Sequence, residues 1–89
     1  MQRNAYQNAY SRYLEHLRKL ERVLRSNPEA EWFAMDLCRV LEIDYTTWRG
    51  MRRWAMEHLV LVPWFGYRPG TRSGTYYWRE VKVLDFALD

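Results

Sequence analysis

Near residue 59 the apolar residues stop recurring at three- and four-residue steps and give way to β-branched and aromatic runs. A chain with helical periodicity over its first two thirds and strand chemistry beyond must pack helices against a sheet, so the expected class is α+β, mainly α. In the first segment Tyr6, Tyr10, Tyr13, Leu14, Leu17, Leu20 and Leu24 share one helical face, which predicts a long amphipathic helix over about residues 5–25. Glu15 and Lys19, like Glu21 and Arg25, are spaced to pair on the opposite face. Asn27 precedes Pro28 and is pushed out of the α region, which ends the helix.

Glu31-Trp32-Phe33 has the composition of a brief strand. A second helix is expected over about 34–42, with Met35, Leu37, Cys38 and Leu41 as its apolar face. Asp44 stands where an N-cap is needed, immediately before a third helix over about 45–58. The buried stripe of that helix is expected to be Trp48, Met51, Trp54 or Ala55, and Leu59, which leaves Tyr45, Thr46, Arg49, Gly50, Arg52 and Arg53 outside it. Residues 60–67 and 75–81 then flank the turn-forming Arg68-Pro69-Gly70-Thr71-Arg72-Ser73-Gly74, which predicts a C-terminal β-hairpin over about 60–81. Pro63 cannot donate to a ladder, so the first strand is bulged there, starts after it, or lies at an edge.

Eighty-nine residues allow one domain, 1–89. Cys38 is the single cysteine, so neither a disulfide nor a cysteine-rich metal site can brace the fold. The core must be apolar, and 48% hydrophobic residues with 17% aromatics can supply it. The longest nearly apolar run, 59–67, contains Pro63 and Gly66 and is too short to span a bilayer or to form a signal-peptide core. The expectation is a cytoplasmic protein with no membrane partner.

The net charge of +3 is unevenly spread. Residues 1–44 balance seven basic against seven acidic residues, while residues 45–79 carry Arg49, Arg52, Arg53, Arg68, Arg72 and Arg79 against Glu57 alone. Every base in the latter segment is arginine, whose planar fork suits bidentate contact with phosphate or guanine.

Helix, short strand, helix, tight turn, basic helix and hairpin, in that order over about residues 10–80, resemble the winged helix-turn-helix family. Leu37-Cys38 followed by Val40-Leu41-Glu42-Ile43-Asp44 is similar to that family's Leu-Ala pair and turn, with Glu42 standing where glycine is common. Thr47-Trp48, Met51, Trp54 and His58-Leu59-Val60 match the spacing of its recognition helix. Arg72-Ser73-Gly74-Thr75-Tyr76-Tyr77 looks like the wing end of small ArsR- and MarR-like regulators. The resemblance implies three helices plus a C-terminal β-hairpin wing, with double-stranded DNA as the partner.

On this arrangement the third helix enters a major groove and the wing reaches an adjacent minor groove or backbone. Tyr45, Thr46 and Arg49 are then the candidates for base edges, with Thr47, Arg52 and Arg53 for phosphates. Arg68, Thr71, Arg72 and Ser73 are the wing candidates. Gly50 serves close backbone approach either to DNA or to the second helix, since glycine is otherwise costly inside a helix. The tyrosine row Tyr6, Tyr10 and Tyr13 is read as core or dimer packing ahead of a ligand pocket. With the apolar tail Leu84-Asp85-Phe86-Ala87-Leu88 it provides surface for a homodimer.

No catalytic set assembles: His16 and His58 fall on different predicted helices, Cys38 is expected to be buried, and no phosphate-binding glycine loop occurs. The chain is therefore read as a non-enzyme without cofactor or metal. The metal sensing of ArsR-like proteins is not implied, because its Cys and His clusters are missing. The first expectation is a small phage- or plasmid-like transcriptional regulator acting by operator occupancy. The alternative is a winged-helix protein-interaction module, an inhibitor or adaptor, binding through Trp64, Tyr67, Tyr76 and Trp78 if these are exposed. Single-stranded nucleic acid stacked on those same aromatics is a third option.

Overall fold

A computed structural model describes the backbone of residues 5–80 and the side chains of residues 10–80. The elements run α1 (Ala5–Ser26), β1 (Glu31–Trp32), α2 (Ala34–Leu41), α3 (Tyr45–Glu57), β2 (Phe65–Arg68) and β3 (Thr75–Trp78). The chain is a small α+β domain, mainly helical, with three helices and one antiparallel sheet of strand order β1-β3-β2.

Each boundary has a local cause. At the end of α1 the Asn27 amide donates to the Leu24 carbonyl and the Asn27 side chain to that of Val23, and Pro28 prevents continuation. α2 closes in a Schellman turn: the Ile43 amide donates to Cys38 and the Glu42 amide to Arg39. Glu42 takes the left-handed conformation this turn requires, at φ 57° and ψ 46°. It is the only described non-glycine residue with positive φ. A side chain there costs on the order of 1 kcal/mol relative to glycine. Asp44 then caps α3 by accepting the Thr47 amide at 2.7 Å, as its position suggested.

The hairpin is shorter than the sequence pattern suggests. Residues 60–64 do not enter a strand; the Leu61 and Val62 amides turn back to the His58 carbonyl, and the Phe65 amide to that of Val62. Pro63 lies in this turn, so β2 starts after it and also forms an edge of the sheet. The brief strand at residues 31 and 32 pairs with β3, through Glu31 opposite Tyr77 and Trp32 opposite Tyr76. It makes β3 central.

Alternation along the strands sorts the sheet into two faces. Trp32, Phe65, Tyr67, Tyr76 and Trp78 turn toward the helices and pack in or against the core. Glu31, Arg68, Thr75 and Tyr77 share the other face, where the Tyr77 ring covers Gly66. The core joins Leu17, Leu20 and Leu24 of α1 to Leu37, Cys38 and Leu41 of α2 and to Trp48, Met51, Trp54 and Ala55 of α3. Val62, Trp64, Phe65 and Tyr76 close it from the hairpin side. Trp48, fully buried, meets Tyr76 edge-on at 5.0 Å and so ties α3 to the sheet.

Two further expectations are refined. Trp54 and Ala55 are both buried, whereas Leu59 is only half-buried. The acid-base pairs foreseen along α1 do not close; the one ion pair among the described residues joins Arg68 to Glu31. Residues Val81 and 84–88, assigned to the hairpin end and to the dimer surface, lie outside the described residues, as does the side chain of Tyr6. No helix of the described residues is long and apolar enough to cross a membrane.

Candidate functional site

The third helix and the loop between β2 and β3 enclose an open groove of about 470 Å³. Tyr45, Thr46, Arg49, Gly50, Arg52 and Arg53 form its helical wall. Arg72, Ser73 and Gly74 form the loop wall, Ala34 contributes from the start of α2, and Tyr67 and Tyr76 reach the groove from the sheet. Four of these residues are arginine and none is acidic, so the cleft carries one sign of charge.

Local folding explains this convergence. Thr46, Arg49 and Arg53 are separated by three and four residues and form a row opposite the buried Trp48, Met51 and Ala55. On the loop side, the Tyr67 ring lies where a Cβ on Gly74 would sit, and a Cβ on Gly70 would collide with the Ser73 carbonyl. The loop is thus tightly folded and packed onto β2, with Arg72 at its exposed tip.

The arginines differ sharply in their surroundings. Arg49, Arg53 and Arg72 are exposed and form no ion pair among the described residues. Arg52 is half-buried: its Nε donates to the Tyr76 hydroxyl, and its guanidinium lies over the Tyr67 ring, 4.6 Å from the centroid. Burial pushes the Tyr76 phenol above its usual range, with Arg52 acting in the opposite direction. The hydroxyl therefore stays a neutral acceptor at physiological pH. Arg52 thus binds α3 to both hairpin strands.

Arg68 lies outside the groove, paired with Glu31 at 2.9 Å and set over the Tyr77 ring. Thr75 donates to the other Glu31 oxygen at 2.6 Å. Thr71 is exposed but does not line the groove, and neither does Thr47. The side chain and amide of Thr47 hold the Asp44 carboxyl below the usual carboxylate range. Gly50 adjoins neither α2 nor only solvent: a Cβ there would collide with the Tyr13 hydroxyl of α1. Tyr10 packs against Trp54 with centroids 5.3 Å apart, so both described members of the tyrosine row belong to helix packing.

Tyr67 and Tyr76 enter the sequence reading as contacts for a protein or single strand, not as part of a groove with α3. They are direct cross-strand partners in the hairpin, and their alternation with Tyr77 was the available signal. Of the four aromatics proposed for protein or base contacts, Trp64 and Tyr76 are buried and Tyr67 and Trp78 are half-buried. Cys38 is buried, and desolvation, followed by the nearby Asp44 charge, pushes its thiol up. The His58 ring stacks on Trp54 and its Nδ1 lies 2.7 Å from the Trp54 carbonyl oxygen. Among the described residues no group of three His, Cys, Asp or Glu side chains could hold a metal ion. No protein-family model, curated protein or solved structure matches the chain.

Proposed function

We propose that the chain is a small winged helix-turn-helix protein that binds double-stranded DNA and regulates transcription by occupying an operator. The observation that carries this reading is the groove itself, in which Arg49 and Arg53 on α3, exposed and without an ion pair among the described residues, face Arg72 on the loop with no acidic residue among the lining. α3 has thirteen residues and so spans roughly 20 Å, with its polar row outward, dimensions that suit a major groove. The order of helices and strands, and the pairing of β1 with the hairpin, support the same reading. Arg49 is placed to meet a guanine edge, Arg53 a phosphate, and Arg72 the backbone or a narrow minor groove. Two such heads in a homodimer, one helical turn apart, would read a palindromic site in the cytoplasm.

The deciding experiment is a fluorescence-anisotropy titration with a randomised duplex at two salt concentrations. Two arginines on the backbone, Arg53 and Arg72, give a salt slope of roughly −1.8 per reading head, hence affinity about 12-fold weaker at about 200 mM than at about 50 mM salt. No binding at the lower salt overturns the reading. The protein-interaction alternative rests on Trp64, Tyr67, Tyr76 and Trp78; Trp64 and Tyr76 are buried, while Tyr67 and Trp78 are half-buried.

A further inference from the structure

Arg52 is the one groove arginine with a side-chain hydrogen bond, made by its Nε, and the groups it engages belong to the sheet. Its Nε donates to the Tyr76 hydroxyl on β3, and its guanidinium covers the Tyr67 ring on β2. Tyr67 and Tyr76 are cross-strand partners with ring centroids 5.1 Å apart, and Tyr67 in turn supports Gly74 at the foot of the loop that carries Arg72. A continuous contact path therefore runs from α3 through Arg52 to the base of the loop. Together with the edge-on contact of Trp48 and Tyr76, that path joins α3 to the hairpin that carries the loop.

We propose that Arg52 is a positioning residue of the DNA-binding site: held by Tyr76 and Tyr67, it fixes the separation and angle between α3 and the loop, and makes no phosphate contact of its own. This rests on the DNA-binding reading above. Arginine suits the task because its guanidinium can donate in its plane while stacking through its face. Lysine keeps the charge but cannot do both.

The test compares wild type with Arg52→Lys, Arg52→Met, Tyr76→Phe and the double variant Arg52→Met/Tyr76→Phe. Each is titrated against the same randomised duplex across about 50 to 200 mM salt, at a temperature where circular dichroism shows it folded. The expected result is that Tyr76→Phe and both Arg52 variants weaken binding about tenfold with the salt slope unchanged, and that the double variant is no worse than the singles. Charge retention by lysine gives no rescue. If Arg52→Met does not fold, Tyr76→Phe carries the test, since it removes only the accepting hydroxyl.

A slope shallower by about 0.9 for Arg52→Met, with lysine restoring it and Tyr76→Phe silent, would make Arg52 a phosphate ligand and overturn the proposal. Loss of thermal stability with unchanged affinity would also overturn it, leaving a purely structural bond. Absence of wild-type binding at the lower salt would remove the DNA reading and the positioning role together, a result distinct from the other two.

Discussion

The rim and the floor of the groove are built from the same residue type and do opposite things. At the rim, Arg49, Arg53 and Arg72 are exposed and unpaired among the described residues. At the floor, Arg52 is half-buried, bonded to Tyr76 and stacked on Tyr67. Arg68, on the far face of the sheet, is a third case, exposed yet already paired with Glu31. An arginine-rich segment is thus no measure of a binding surface by itself. What matters is which guanidinium groups the fold has left without partners.

The strongest way to break this comparison is to remove the rim. The triple variant Arg49→Ala/Arg53→Ala/Arg72→Ala is expected to lose about a hundredfold in duplex affinity and nearly all salt dependence, while urea unfolding changes by no more than about 0.5 kcal/mol. Marked destabilisation would mean the rim is structural after all. The floor should respond the other way: Arg52→Met is expected to cost about 2 kcal/mol in urea unfolding, from the loss of a charged hydrogen bond and a partly desolvated cation–π contact. Glu42→Gly sharpens the contrast from the turn that precedes α3, because relief of the left-handed strain should raise stability by about 1 kcal/mol without touching affinity.

The far face should respond little in stability. Glu31 and Arg68 are both solvent-accessible, and Arg68→Ala is expected to change stability by less than about 1 kcal/mol. Asp44 adds a pH signature of its own. Its carboxyl is held below the usual range in the folded chain, so its contribution is present above the unfolded value and is lost as pH falls through the folded one. Asp44→Asn should flatten that part of the acid limb, below about pH 4, in a pH series of thermal melts.

Much of this organisation was legible before any coordinates. The helices begin and end close to where periodicity, Asn27-Pro28 and Asp44 put them, because each of those signals acts through neighbours in sequence. Glu42 stands where glycine was expected, and the turn keeps the glycine geometry nonetheless. Long-range partners were not readable in the same way. Arg52 follows Trp48 by four residues and precedes Ala55 by three, so its spacing put it at the margin of the buried stripe, but only the hairpin register brings Tyr67 and Tyr76 to meet it. Gly50 was legible as a close-approach site while its partner was not, since Tyr13 lies on a helix distant in sequence. The hairpin lies in the segment its composition marks but is shorter, because residues 60–64 have strand composition while the Leu61 and Val62 amides turn back on His58 and the Phe65 amide on Val62.

The fit of Gly50 beneath Tyr13 also limits how this surface can change over generations. Tyr45, Thr46, Arg49 and Arg53 are exposed, so single substitutions there can alter contact chemistry while leaving the interior untouched. Position 50 lies among them on the groove wall, but an added carbon there meets the Tyr13 hydroxyl, the far end of a side chain of α1, which must give way. A larger residue at 50 is therefore easier to admit after a first step such as Tyr13→Phe, which removes the colliding oxygen. The exposed row of α3 is free to change, with one gated position beside it, and the gate is a side chain of α1.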